Sequence, residues 1–142
     1  MSQRPHELRG YRFPKRLRIR RTKEFERGFS RGLRVSDGYL TVWGIRNGLV
    51  YSRLGIVVGR QHATAVRRNR LRRLLREAFR LSQDRLPMGL DLLVCPRAGV
   101  KPRLADLIDS LNRLAARLDR QLSAQRVGGG QEGPPPEKGK PD

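Results

Sequence analysis

The chain has 142 residues and carries 32 Lys and Arg against 13 Asp and Glu, a formal charge of +19. That is the size of one small domain, and such a charge excess points to a phosphate-rich partner. A membrane protein is a poor fit: no stretch approaches the ~20 apolar residues of a span, and the arginine-rich N-terminus lacks the apolar segment of a signal peptide, so a cytoplasmic location is expected.

Residues 1–16 are polar, basic and interrupted by Pro5, Gly10 and Pro14, the composition of a flexible basic arm. A short helix is expected over roughly 22–31, with Thr22 as N-cap, Glu24 and Glu26 at its positive end, and Gly32 as the stop. Phe25 and Phe29 lie one turn apart on one face of it. Such a pair is either core or a platform for stacking bases. Tyr39 to Ile45 is β-branched and aromatic, Arg46-Asn47-Gly48 signals a turn, and Arg53 to Gly59 is a second apolar run, so these two strands are expected to pair antiparallel. Tyr39 and Trp43, four apart, should share a face, and the sequence leaves open which face that is.

Thr64 suits the N-cap of a helix over about 65–86 that Pro87 and Gly89 stop, and Leu90 to Pro96 reads as a buried strand. Strand, helix and strand then form a crossover unit, and the general preference is for a right-handed one. After Pro102 a last helix is marked by the stripe Leu104, Leu107, Ile108, Leu111, Leu114, Ala115 and Leu118, with Arg113, Arg117 and Arg120 outside it. Residues 126–142 are dense in Gly and Pro and read as a disordered tail, which leaves a single α/β domain over 17–125. Cys95, the only cysteine, lies in an apolar run and reads as a small buried hydrophobe.

The helix from Ala65 is the most informative segment. Leu71, Leu74, Leu75, Ala78 and Phe79 form one apolar stripe, while Asn69, Arg73, Arg76 and Arg80 fall together opposite, with Arg72 on the flank. Arg67, Arg68 and Arg70 add to the charge, and only Glu77 offsets it locally. Like charges at helical spacing repel, so a partner that neutralises them is implied, and guanidinium forks match phosphate bidentately. Asn69, uncharged inside this run, suits a hydrogen bond to a sugar, a base edge or backbone, or a role at the helix start. A solvated charged face is the alternative for the whole run. His6 and His62 are too isolated for a metal or acid–base site, and no carboxylate pair has convincing spacing, which argues against an independent nuclease. A DNA-reading helix would need a partner helix a short turn away. Strands are expected on both sides instead.

The string Ala65-Val66-Arg67-Arg68-Asn69-Arg70-Leu71-Arg72-Arg73-Leu74-Leu75-Arg76-Glu77 resembles the signature of the bacterial ribonuclease P protein subunit. The resemblance spans about residues 15–122 and includes the order of elements. It implies an α+β fold: a two-layer α/β sandwich with a small mixed sheet, similar to a ribosomal-protein domain, with a left-handed β-α-β crossover that overrides the general preference. It further implies two partners, the ribonuclease P catalytic RNA and precursor tRNA, with no membrane and no obligate protein partner. The reaction would be Mg²⁺-dependent removal of the 5′ leader, with Mg²⁺ bound mainly by the RNA, which would carry the chemistry. By resemblance, the catalytic RNA would meet Arg68, Asn69, Arg70, Arg73 and Arg76, and Arg67, Arg72 and Arg80 of the same charged helix are further candidates for that contact. The leader would enter a cleft between the first helix and the sheet, with Phe25, Phe29, Tyr39, Trp43 and Arg60 as candidate contacts. One departure is visible: where the family commonly has two lysines and a glycine before the signature, this chain has Arg60, Gln61, His62 and Ala63. A ribosomal or RNA-chaperone protein would share the charge without requiring that string beside a leader cleft.

Overall fold

The computed structural model describes residues 15–59 and 64–125. A 3₁₀ turn at Lys15–Leu17 leads to helix α1 (Thr22–Arg31), strands β1 (Leu33–Ser36), β2 (Leu40–Arg46) and β3 (Arg53–Ile56), helix α2 (Ala65–Leu81), strand β4 (Leu90–Pro96) and helix α3 (Leu104–Ala124). The expected helices and the expected strand at 90–96 are therefore present, and the fold is α+β with a mixed sheet. The arm, the tail and Arg60 fall largely or wholly outside the described residues, and the first element starts inside the segment expected as arm.

The sheet order is β1-β2-β4-β3. β2 and β3 are thus not partners, contrary to the antiparallel pair expected from the Asn-Gly turn. β4 lies between them, antiparallel to β2 and parallel to β3. The reason is burial. Every residue of β4 is buried, which suits a central strand covered on both faces and paired on both sides. The turn residue still acts locally: Asn47 accepts from Leu49 N (2.8 Å) and donates through Nδ2 to Tyr51 O (3.1 Å) and Asp91 Oδ1 (2.9 Å).

One sheet face carries Leu33, Val35, Leu40, Val42, Leu54, Ile56, Leu92 and Val94, and packs with Leu75, Ala78 and Phe79 of α2 and the stripe of α3. This is the two-layer core. The other face carries Trp43, Leu93, Cys95 and Val57, with Ile19 and Phe25, and α1 covers part of it. Two hydrogen bonds bear on the hand of the β3-α2-β4 crossover, because on an upward strand an L-residue facing the viewer turns its N–H and C=O to the right. Seen from the α2 side, Leu54 O accepts from Ile19 N, away from β4, and Val94 O accepts from Val57 N, toward β3 (both 2.9 Å). β4 then lies to the left of β3, and we infer a left-handed crossover.

α1 sits close to the sheet. A Cβ on Gly28 would lie 2.5 Å from Leu93 Cδ1, and one on Gly55 would lie 3.0 Å from the Phe25 ring. Arg21, not Thr22, is the N-cap residue of α1, and it makes no side-chain cap bond. The first turn is held instead by Arg53, which bonds Asp91 through Nε and Nη2 (2.9 and 2.7 Å) and Glu24 Oε2 through Nη1 (3.2 Å). Asp91 is almost wholly buried, so removing its partner strands a charge. Arg53→Ala should cost about 3 kcal/mol in urea unfolding, and a loss under 1 kcal/mol would mean that Asn47 alone satisfies Asp91.

Asp37 plays a similar part at the other end. It accepts from Tyr39 N, Leu40 N, Ser110 Oγ and Arg113 Nη2, tying the β1–β2 turn to α3. Burial pushes its carboxyl upward, but the bonds from Ser110 and the two backbone N–H groups, with the Arg113 charge, outweigh it and hold the group below its usual 3.8. A depressed carboxylate stabilises the fold above the unfolded value and loses that contribution as pH falls through the folded one. Stability should therefore be level from neutral pH to about 5 and fall below 4. Asp37→Asn should flatten that acid limb while lowering neutral stability by about 1.5 kcal/mol, measured by denaturation across pH.

Candidate nucleic-acid interface

α2 forms because its apolar residues repeat at helical spacing and because Thr64 Oγ1 accepts from Arg67 N (3.2 Å), capping its start. Thr64 therefore supplies the cap, which removes the helix-start role considered for Asn69. Leu71, Leu75, Ala78 and Phe79 are buried, and Leu74 is half-buried. Ser82 ends the helix, short of the expected 86, because its N–H turns back to Phe79 O. The buried Gln83 then donates to the same carbonyl (3.3 Å).

The arginines of α2 do not form one uniform row. Asn69, Arg70 and Arg73 are exposed, whereas Arg67, Arg68, Arg72, Arg76 and Arg80 are half-buried. Asn69 Oδ1 accepts from Arg72 Nη1 (2.9 Å), so the amide orients a neighbouring guanidinium. Arg80 forks onto Glu77, through Nε (3.0 Å) and through Nη2, with only 15% of its side chain exposed. The hydrogen bond from Arg80 holds the Glu77 carboxyl below its usual range. Arg80, expected among the free forks, is thus committed to a structural pair. Arg67 also departs from the row: it lies on the side of Leu71 and Leu74, and its Nη2 donates to Val100 O before α3. Neither Arg70 nor Arg73 has a protein partner among the described residues.

The second region is the crevice between α1 and the sheet. Phe29 packs edge-on against Trp43, with ring centroids 5.0 Å apart, and against Phe25 at 6.3 Å. Phe25 is fully buried over Gly55, so it is core and supports the wall without forming its surface. Phe29 is half-buried and is the aromatic ring at the surface. Tyr39 and Trp43 do not share a face. Tyr39 precedes β2 in a bend, outside the strand alternation, and packs with the α3-side core, while Trp43 packs with Phe25 and Phe29. Trp43 Nε1 is buried with no partner among the described residues.

Arg34 belongs to this face and was not anticipated. It is exposed on β1, directly opposite Trp43 in register, with Ser36 beside Thr41 further along. The alternation Leu33-Arg34-Val35-Ser36 was its signal, a strand too short to separate from the glycine that precedes it. Cys95, two residues beyond Leu93, has its thiol pushed up to about 11 by burial, which makes it inert at neutral pH.

Among the described residues there is no group of three or more His, Cys, Asp or Glu able to hold a metal. The best-placed carboxylates, those of Asp91, Asp37 and Glu77, are engaged by arginines. The donor set therefore does not fit a bound Mg²⁺, and no step is assigned to one on this chain. No described helix is long and apolar enough to cross a membrane.

Fold and surface together define a small basic α+β sandwich protein with an arginine helix on one side of its sheet and an aromatic crevice on the other. Residues 13–119 match the ribonuclease P family model, and the chain belongs to that family, as the protein component of ribonuclease P. The ribonuclease P protein component of Thermotoga petrophila is 45% identical over 85 residues, covering 60% of this chain and 73% of that one. That of Chromobacterium violaceum is 37% identical over 115 residues, covering 80% and 94%. The solved structure of the ribonuclease P protein from Thermotoga maritima superimposes with a TM-score of 0.66 at 35% identity, over 70% of this chain and 96% of that one.

Trp43 is the only tryptophan, so the crevice has a built-in reporter. Phe29→Ala should shift its emission to longer wavelength and increase quenching by acrylamide about two-fold, because the ring covering it is gone. Unchanged emission would place Trp43 under other cover.

Proposed function

We propose that this protein binds the catalytic RNA of ribonuclease P through α2 and the single-stranded 5′ leader of precursor tRNA in the α1 crevice. The RNA carries the Mg²⁺-dependent cleavage chemistry. The observation that supports this most directly is the sorting of the cations. Carboxylates are spent on Arg46, Arg53 and Arg113, which join elements, and on Arg80 within α2, while Arg70 and Arg73 are left exposed on a helix whose other face is locked in the core. Phosphate contacts of this type position an RNA without reading its sequence.

The crevice suits the other half of the task. Phe29 offers a ring for stacking and Arg34, opposite Trp43 in register, a cation for the adjoining phosphate. Stacking contributes about 1–3 kcal/mol per base and tolerates any base, which fits leaders of varying sequence. By charge neutralisation the protein would lower the Mg²⁺ needed to bring two polyanions together.

Precursor tRNA cleavage by a bacterial ribonuclease P RNA at low Mg²⁺ is the test. The protein should restore cleavage that the RNA alone cannot sustain and should be inert alone; binding without assistance would favour a general RNA-binding protein, and cleavage by the protein alone would overturn the division of labour. Substituting Arg70 and Arg73 with Ala together should reduce the slope of log affinity against log salt by about 1–2. An unchanged slope would exclude that face.

A further inference from the structure

Between the first two turns of α2 and the segment entering α3 lies a cavity of about 320 Å³, lined by Arg67, Arg70, Leu71, Leu74, Lys101, Pro102 and Arg103. Its construction is unlike the rest of the arginine helix. The floor is apolar, made by Leu71, Leu74 and Pro102, and the rim is wholly cationic. Arg67 is fixed there by its bond to Val100 O, an acceptor that leaves its charge uncompensated. Arg103 has the one nearby carboxylate, Asp106, at 3.6 Å, and that carboxylate also caps α3 by accepting from Arg103 N (2.9 Å). Arg70 and Lys101 have no partner among the described residues.

We propose that this pocket receives a single unstacked nucleotide of the RNA partner, its base on the Leu71, Leu74 and Pro102 floor and its flanking phosphates on the rim. The inference rests on the proposed RNA-binding function and makes it specific at one place. A pure phosphate site needs no apolar floor, and a docking apolar peptide would leave the cations stranded. A volume of about 320 Å³ is at the lower end of small-ligand pockets, the scale of one nucleotide and not of a duplex. Guanidinium planes such as those of Arg67 and Arg70 also stack on bases while donating to phosphate. The position is set by the fold: Arg67 and Arg70 lie a helical turn before Leu71 and Leu74, and the α3 entry brings Lys101 and Arg103 to face them.

The test uses the full chain with adenosine 5′-monophosphate, followed by methyl NMR. AMP should shift the Leu71 and Leu74 methyls by ring current with a millimolar dissociation constant, and the Lys101→Ala, Arg103→Ala double variant should weaken it at least five-fold without altering the circular dichroism. Inorganic phosphate should leave those methyls in place. If phosphate binds as tightly as AMP with the same methyl shifts, the pocket takes an anion only and the base site is overturned. If AMP shifts the Asn69 and Arg73 resonances but not the leucines, the site is elsewhere. No RNA subunit is involved, so this outcome is independent of whether the chain assists cleavage. In the complex, an iron chelate on Lys101→Cys, labelled selectively because Cys95 is buried, should cut the RNA at an unpaired nucleotide. Cutting confined to a continuous helix would overturn the proposal.

Discussion

Every side chain of β4 is buried, so this strand must be covered on both faces at once, and the coverings are different in kind. On one face two helices supply aliphatic stripes from α2 and α3. On the other a single ten-residue helix, α1, approaches so closely that Gly28 and Gly55 leave space only for Leu93 and Phe25. A helix that short is marginal alone. It is held by Phe25 below and by the Arg53–Asp91–Glu24 network at its first turn. The crevice beside it, with Phe29 over Trp43, exists because α1 covers only part of that face.

Charge is distributed by the same logic. In a chain with 13 acidic residues against 32 basic ones, placement of the acids decides which cations remain available. They join turns to helices at Asp37 and Arg113, strand to strand to helix at Arg53, and β2 to α3 where Arg46 bonds Asp119 and Ser123. Arg70 and Arg73 on α2 and Lys101 at its junction with α3 are among the exposed cations that no carboxylate engages. The positive potential at that surface is a consequence of where the acids are absent, and it is carried on a helix that its buried stripe prevents from rearranging.

Much of this was legible in the sequence because it depends on period. The stripes of α2 and α3, the short α1 with its two phenylalanines and the apolar run of β4 are all set by local spacing. Pairing was not, since the Asn47-Gly48 turn has a self-contained local bond pattern that is compatible with a hairpin, and only the burial of β4 on both faces rules the hairpin out. Tyr39 was misassigned because the strand begins one residue later, at Leu40, and the bend at Gly38 and Tyr39 breaks the alternation. At the arginine helix, residue type alone could not separate roles. Arg67, Arg73 and Arg80 look alike in sequence, yet one binds a carbonyl at the α3 entry, one is open to solvent and one is locked to Glu77.

The two candidate surfaces lie on opposite sides of one sheet, and β3 links them. Its residues Leu54 and Ile56 pack under α2, while Gly55 lies beneath Phe25 and Val57 continues the crevice-side core. A strand whose successive residues alternate between two cores transmits position well, because shifting it by one residue would exchange both sets of contacts. Thr64 begins α2 only seven residues after Val57, so the cationic helix is anchored to the same strand that floors the crevice. On the proposed function, a protein of this build would act by placing two nucleic-acid segments relative to one another. That requires each to be held at a fixed distance from the other, and a close-packed sheet between the two candidate faces has the stiffness to do that.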